Sequence, residues 1–206
     1  MYLTTNIQAA RMQDTRRTQE ERREATRNAL MRAARHLFAE RGYAATGTPD
    51  IVAAAGVTRG ALYHHFADKL ALFEAVVEEE HRAVAEAIAA AADGATAPAD
   101  MVEALVVGGE AFLSAMQDEG RRRIMLIDAP AVISREALDA IDQRYGQRTL
   151  VEGVQCAVDA GVLRAVPVEA TARLLGALFD RAALAPKTEL DAYRSAMEAI
   201  IRGLRK

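Results

Sequence analysis

Apolar residues recur every three and four positions along most of this chain, the period that stacks side chains on one face of a helix. From about Glu20 the face is Leu30, Ala33, Ala34, Leu37 and Phe38. Gly42 ends it, as a left-handed C-terminal residue does. Thr48-Pro49-Asp50 predicts a second start, with Thr48 at the N-cap, Pro49 in the first turn and Asp50 against the positive helix end. Gly56 closes that short helix. Thr58 caps a third that runs through Phe66. Asp68-Lys69 opens a long fourth, which carries Leu70, Phe73, Val76, Val77, Val84 and Ile88 and fades at Asp93-Gly94. The pattern then predicts helices over about 99–118, 121–128, 134–160, 168–185 and 188–204. The expected fold is all-α, about nine helices and no strand.

Helices two and three are short, joined by a tight turn at Gly56 and flanked by long helices. That is the layout of a helix-turn-helix. Ile51, Val52, Ala55, Val57 and Leu62 supply its apolar wedge, while Ala53 and Ala54 keep the crossing close. The third helix can turn Thr58, Arg59, Gly60, Tyr63, His64 and His65 outward. Hydroxyls, a guanidinium, a phenol and imidazoles, with no carboxylate among them, suit a groove lined by phosphates.

Composition narrows the function classes. The chain has 206 residues, 51% hydrophobic and 27% charged, enough apolar content for a packed core. Its longest apolar run, Ala87 to Ala92, is too short to cross a bilayer. The first 25 residues hold no apolar stretch of the secretory kind, so the expected address is the cytoplasm, with no membrane partner. The single cysteine, Cys156, excludes an internal disulfide and a cysteine zinc finger. It is read as buried and inert. Net charge is −3, but residues 1–78 carry 11 Lys and Arg against 9 Asp and Glu, and the remainder 15 against 20. The more basic N-terminal part is compatible with a polyanionic partner.

Residues 1–20 lack apolar periodicity and are read as a flexible arm. Arg11, Arg16, Arg17, Arg22 and Arg23 could enter a minor groove from it, or stay solvated. Glu78-x-x-His81 has the spacing of a di-iron ligand pair. The remaining histidines, His36, His64 and His65, lie in the head region, so no metal and no cofactor are expected. No nucleophile elbow, P-loop or dinucleotide-binding glycine pattern supports catalysis. Gly108-Gly109 in mid-helix costs on the order of 2 kcal/mol against two alanines, which a close helix crossing would offset.

Leu37-Phe38-Ala39-Glu40-Arg41-Gly42-Tyr43, then Thr46, Ile51 and Ala55-Gly56-Val57, and above all Gly60-Ala61-Leu62-Tyr63-His64-His65-Phe66-Ala67-Asp68-Lys69, resemble the tetracycline-repressor (TetR) family of transcriptional regulators. The match covers about residues 22–77. Leu126-Ile127-Asp128-Ala129-Pro130-Ala131-Val132 is similar to a stretch in many members' regulatory domains. The resemblance implies an arm at 1–20, a helix-turn-helix domain at 21–68 and a helical ligand-binding and dimerisation domain at 69–206. It also implies a homodimer on a palindromic double-stranded DNA operator, released when an effector makes helix four swing.

Carried over residue by residue, phosphate contacts fall to Thr48, Thr58, Tyr63, His65 and Lys69, and base-edge reading to Arg59, Gly60 and His64. Gly47 and Pro49 depart from the family pattern and imply fewer contacts from helix two. A pocket of the family kind would be lined by Phe112, Met116, Met125, Asp128, Tyr145, Leu174 and Leu178, and would take a largely apolar small molecule. Leu175, Phe179, Ala182, Tyr193, Met197, Ile200, Ile201 and Leu204 are expected at a four-helix dimer seam. The alternative reading is an architectural DNA-binding or protein-interaction module with no inducer.

Overall fold

A computed structural model describes the backbone of residues 3–94 and 101–206, and the side chains of 18–91 and 101–206. Among the described residues the regular elements are helices, without a strand, and the chain divides into compact units at 1–76 and 77–206.

In the first unit α1 (Leu3–Arg41) is followed by α2 (Thr48–Ala55) and α3 (Arg59–His65). The backbone is helical from Leu3, whereas the periodicity places the start near Glu20. Glu20 to Glu24 are strong helix formers that need no buried face, so apolar spacing does not register them. The side chains of Arg11, Arg16 and Arg17 lie outside the described residues. At α2 the N-cap is Gly47, not Thr48, and Thr48-Pro49 form the first helical positions. Gly47 has no side chain to cap with. The Asp50 carboxylate instead reaches back to accept from the Gly47 N–H at 3.3 Å. Gly56 takes φ 67°, a conformation in which a Cβ is strained, and so turns the chain between α2 and α3. The core of this unit is Leu30, Ala34, Leu37, Phe38, Ile51, Leu62, Leu72 and Phe73, with Phe38 and Phe73 edge to face at 4.9 Å. Burying each large side chain contributes roughly 1.5–3 kcal/mol. Thr46, also buried, donates its hydroxyl to the Gly42 carbonyl at 2.8 Å, which pins the α1–α2 loop.

Helix α4 (Lys69–Gly94) carries the chain into the second unit. There follow α5 (Met101–Ala115), α6 (Glu119–Arg123), a π-helical turn at Ile124–Asp128, α7 (Ala129–Val132), α8 (Arg135–Arg144), α9 (Gly146–Asp159), α10 (Val168–Ala183) and α11 (Leu190–Gly203). The periodicity reads 134–160 as one helix, but it breaks at Tyr145, with φ −125° and ψ −95°. Gly146 follows at once and favours the break; a Cβ there would sit 3.3 Å from the Asp142 carboxylate. Pro130, with no N–H to donate, follows the wide π turn.

Helix α5 presses on α10 at Gly109, where an added Cβ would lie 2.7 Å from the Phe179 ring and 3.3 Å from Met197. That close crossing offsets the glycine pair. Leu175, Phe179, Ala182, Met197 and Ile201, expected at a dimer seam, are buried in the core of this unit. Both faces of α10 are apolar, so periodicity does not say which one turns inward. Tyr193 and Leu204 are half-buried against the same core. Ile200 stays 50% exposed and Leu174 72%. On α4, the nearly buried Glu80 carboxylate accepts from Arg121 Nε at 2.6 Å. Arg121 also donates to the Ala115 carbonyl at 3.2 Å, so the ion pair ties α4 to the α5–α6 corner.

Candidate nucleic-acid interface and internal cavity

In the first unit the outward face of α3 begins at its cap. Thr58 Oγ1 accepts from the Ala61 N–H at 3.2 Å, which leaves the N-terminal turn of α3 squared to solvent. Arg59, Gly60, Tyr63 and His64 are exposed along it. The Arg59 guanidinium lies over the Tyr63 ring at 5.4 Å, a stacking that keeps its planar fork extended. Tyr63 is 43% exposed. Hydrogen bonds from Thr48 and then Arg59 hold its phenol pKa below the ordinary 10. Thr48, Arg59 and Tyr63 therefore form one hydrogen-bonded cluster that joins α2 to α3. A Cβ on Gly60 would meet nothing closer than 3.9 Å, so its bare backbone is open to close approach.

His65 is half-buried, and its pKa is lowered by that burial and by His64, Arg23 and Arg27. Arg27 itself lies over the Phe66 ring at 5.0 Å. These two arginines bring α1 to the same basic face. Arg27 goes unnoticed in the sequence because it lies off the apolar stripe of α1; its spacing of four from Arg23 is the available signal. Lys69 is more committed than a free phosphate-binding lysine. Its ammonium donates to the Tyr43 and Thr46 carbonyls at 3.0 and 3.1 Å, leaving one of its three N–H bonds for a partner.

Wholly within the second unit lies a cavity of about 550 Å³. Val84, Ile88, Leu105, Phe112, Met125 and Leu150 give it apolar walls, and His81, Asp139, Asp142, Gln147, Arg173 and Asp180 a polar end. Of the expected lining, Phe112 and Met125 are present. Met116 is fully buried in the core. Asp128 pairs with Arg123 at 3.8 Å, and the Tyr145 hydroxyl donates to Glu78 at 3.3 Å. Leu174 faces outward and Leu178 packs half-buried on the core. The polar end escapes sequence reading because α4, α8, α9 and α10 each contribute part of it, and on its own helix each residue looks like ordinary surface. Glu78 and His81 diverge, Glu78 to Tyr145 and Arg144 and His81 to the cavity. Burial lowers the His81 pKa to about 4, so its imidazole is neutral at pH 7. Burial, then Asp142, raises Asp180 to about 7. Cys156 is exposed, contrary to its buried reading, because it sits on the outer side of α9.

The profile of the N-terminal domain of bacterial regulatory proteins of the TetR family matches residues 30–76. That of a tetracyclin repressor-like C-terminal domain matches residues 102–206. The chain belongs to the TetR family. Family membership makes it a regulatory protein and not an enzyme. It is similar to the repressor BepR of Brucella suis, 47% identical over 62 residues, which is 30% of this chain and 29% of that one. It is likewise similar to the regulator TtgR of Pseudomonas putida, 47% identical over 66 residues, 32% of this chain and 31% of that one. The matched stretch thus spans about a third of these curated relatives. Over most of its length the chain is similar to a TetR-family transcriptional regulator from Pectobacterium atrosepticum, with 33% identity, TM-score 0.70, and 90% and 96% of the two chains covered. No helix among the described residues is long and apolar enough to cross a membrane.

Proposed function

We propose that this TetR-family chain is a sequence-specific DNA-binding regulator, acting in the cytoplasm as a homodimer on a palindromic operator and released by a small molecule. The observation that carries the reading is the exposed, carboxylate-free face of α3, braced on α2 through Thr48 and Tyr63. In this reading α3 enters the major groove. Arg59 and His64 reach base edges, and Gly60 admits the backbone close to them. Thr48, Thr58, Tyr63, His65 and the remaining N–H of Lys69 bond phosphates. Arg23 and Arg27 extend the basic face along α1.

Support for pairing comes from the outer face of α10 and α11, where Leu174 and Ile200 stand exposed beside Ala177, Ala196 and Ala199. Small and apolar residues on two adjacent helices suit a four-helix seam between copies. The cavity supports effector control, since a ligand that prefers one of two states shifts their populations by its differential affinity. Val84, Ile88 and His81 of α4 line it, and α4 continues in sequence from the DNA-binding unit.

The test is fluorescence anisotropy on a labelled duplex obtained by random-sequence selection, at two salt concentrations. Wild type should bind at nanomolar concentration, outcompete scrambled DNA and weaken as salt rises. Equal affinity for selected and scrambled duplex would overturn the reading.

A further inference from the structure

The cavity lining carries three carboxylates, Asp139, Asp142 and Asp180, against two arginines, Arg135 and Arg173. Asp139 and Asp142 stand one turn apart on α8, and Asp180 faces them from α10. Asp142 draws a hydrogen bond from the Gln147 backbone and a weak attraction from Arg173, while His81 Nδ1 is 3.9 Å away and uncharged at neutral pH. Among the described residues Asp180 has no cation within ion-pairing distance, and its nearest charged influence is Asp142, of like sign. Asp180 is open to solvent on one side and backed by protein on the other, so its charge is only partly screened. Independently, Gln147 is 7% exposed and lines the same cavity, and its Nε2 has no hydrogen-bond partner. A buried amide donor left unpaired costs about 1–3 kcal/mol, which a ligand acceptor would recover. The rest of the wall is aliphatic and aromatic.

Resting on the reading of this cavity as the effector site, we propose that its ligand class is the organic cation: a protonated amine on an apolar body, with an oxygen acceptor near the nitrogen. The ammonium lies between Asp142 and Asp180, Gln147 donates to the oxygen, and the body packs on Phe112, Ile88 and Leu150. This revises the expectation of a largely apolar effector. Arg173 and Arg135 also line the cavity, which makes an anionic ligand the competing outcome of the test.

Three probes with one naphthyloxy body separate the cases by calorimetry on the full chain without DNA. They are propranolol as cation, 3-(1-naphthyloxy)-1,2-propanediol as neutral form and 1-naphthyloxyacetate as anion. Propranolol should bind more than about tenfold tighter than the diol, as a charge-assisted hydrogen bond adds. The paired change Asp142→Asn with Asp180→Asn should abolish that preference while leaving diol affinity, and thus the folded cavity, intact. Gln147→Leu should weaken propranolol and diol alike, by roughly threefold to tenfold. Binding of the naphthyloxyacetate at least as tightly as propranolol, a cation preference that survives the paired asparagines, or binding of none of the three would overturn the proposal. Because DNA is absent, these results stand apart from the operator-binding test.

Discussion

Arg59 and Tyr63 touch each other on α3 yet carry different duties, and single substitutions separate them. Arg59→Ala should cost about 1–3 kcal/mol on the preferred duplex and relax the choice of base at one position, because a bidentate base contact is lost. Tyr63→Phe should cost about 1 kcal/mol equally on all sequences, as loss of one phosphate hydrogen bond does. Anisotropy on the selected duplex and its single-base variants distinguishes these outcomes; equal losses for Arg59→Ala across all variants would reduce Arg59 to a phosphate contact.

A second residue-scale prediction concerns pH. His81 titrates near 4 in the folded chain against an ordinary 6.5, so its contribution to stability is full above 6.5 and is lost as pH falls toward 4. Asp180 titrates near 7 against 3.8. The folded chain keeps a proton that the unfolded chain releases, so this contribution is full below 3.8 and is lost as pH rises to 7. Across pH 4 to 6.5 the two oppose each other. Asp180→Asn should therefore make urea midpoints fall more steeply on acidification, and His81→Asn should flatten or invert the trend. Each slope is at most about 1.4 kcal/mol per pH unit, and smaller for Asp180, which cavity water screens. Parallel pH profiles for wild type and both variants would contradict this.

At the scale of elements, the helix-turn-helix is the part most legible in sequence. Its signals are local: Thr58 as cap, Gly56 at the turn, Ile51 and Leu62 as wedge. The second unit is less legible because its choices are tertiary. Leu174 and Leu175 are equally apolar neighbours, and tertiary packing, such as that of Phe179 against Gly109, decides that Leu175 and Phe179 turn inward. The cavity's acids hide for the same reason, being dispersed over several helices. The α5–α10 crossing gives a direct check. Gly109→Ala places a methyl 2.7 Å from Phe179 and should destabilise by roughly 1–3 kcal/mol through overpacking. Adding Phe179→Leu should recover part of that loss in denaturant titrations, whereas additive losses would argue against the contact as the cause.

For the whole molecule, the account requires two copies, since one α3 reads a single half-site. Leu174→Glu together with Ile200→Glu should turn a dimer into a folded monomer by sedimentation, with an unchanged helical spectrum, because both positions are exposed in the protomer. The corresponding change at buried Phe179 or Ile201 should instead unfold the chain. A double variant that still sediments as a dimer would place the seam elsewhere.

The most direct measurement is selection from a random duplex pool by the wild-type chain, with the bound fraction sequenced. The account predicts an inverted repeat whose half-site centres lie about 34–36 Å apart, one turn of DNA, and the loss of one defined base preference in each half when Arg59→Ala repeats the selection. Recovery of unrelated sequences with no shared symmetry, or a motif unchanged by Arg59→Ala, would contradict a paired α3 reading the major groove.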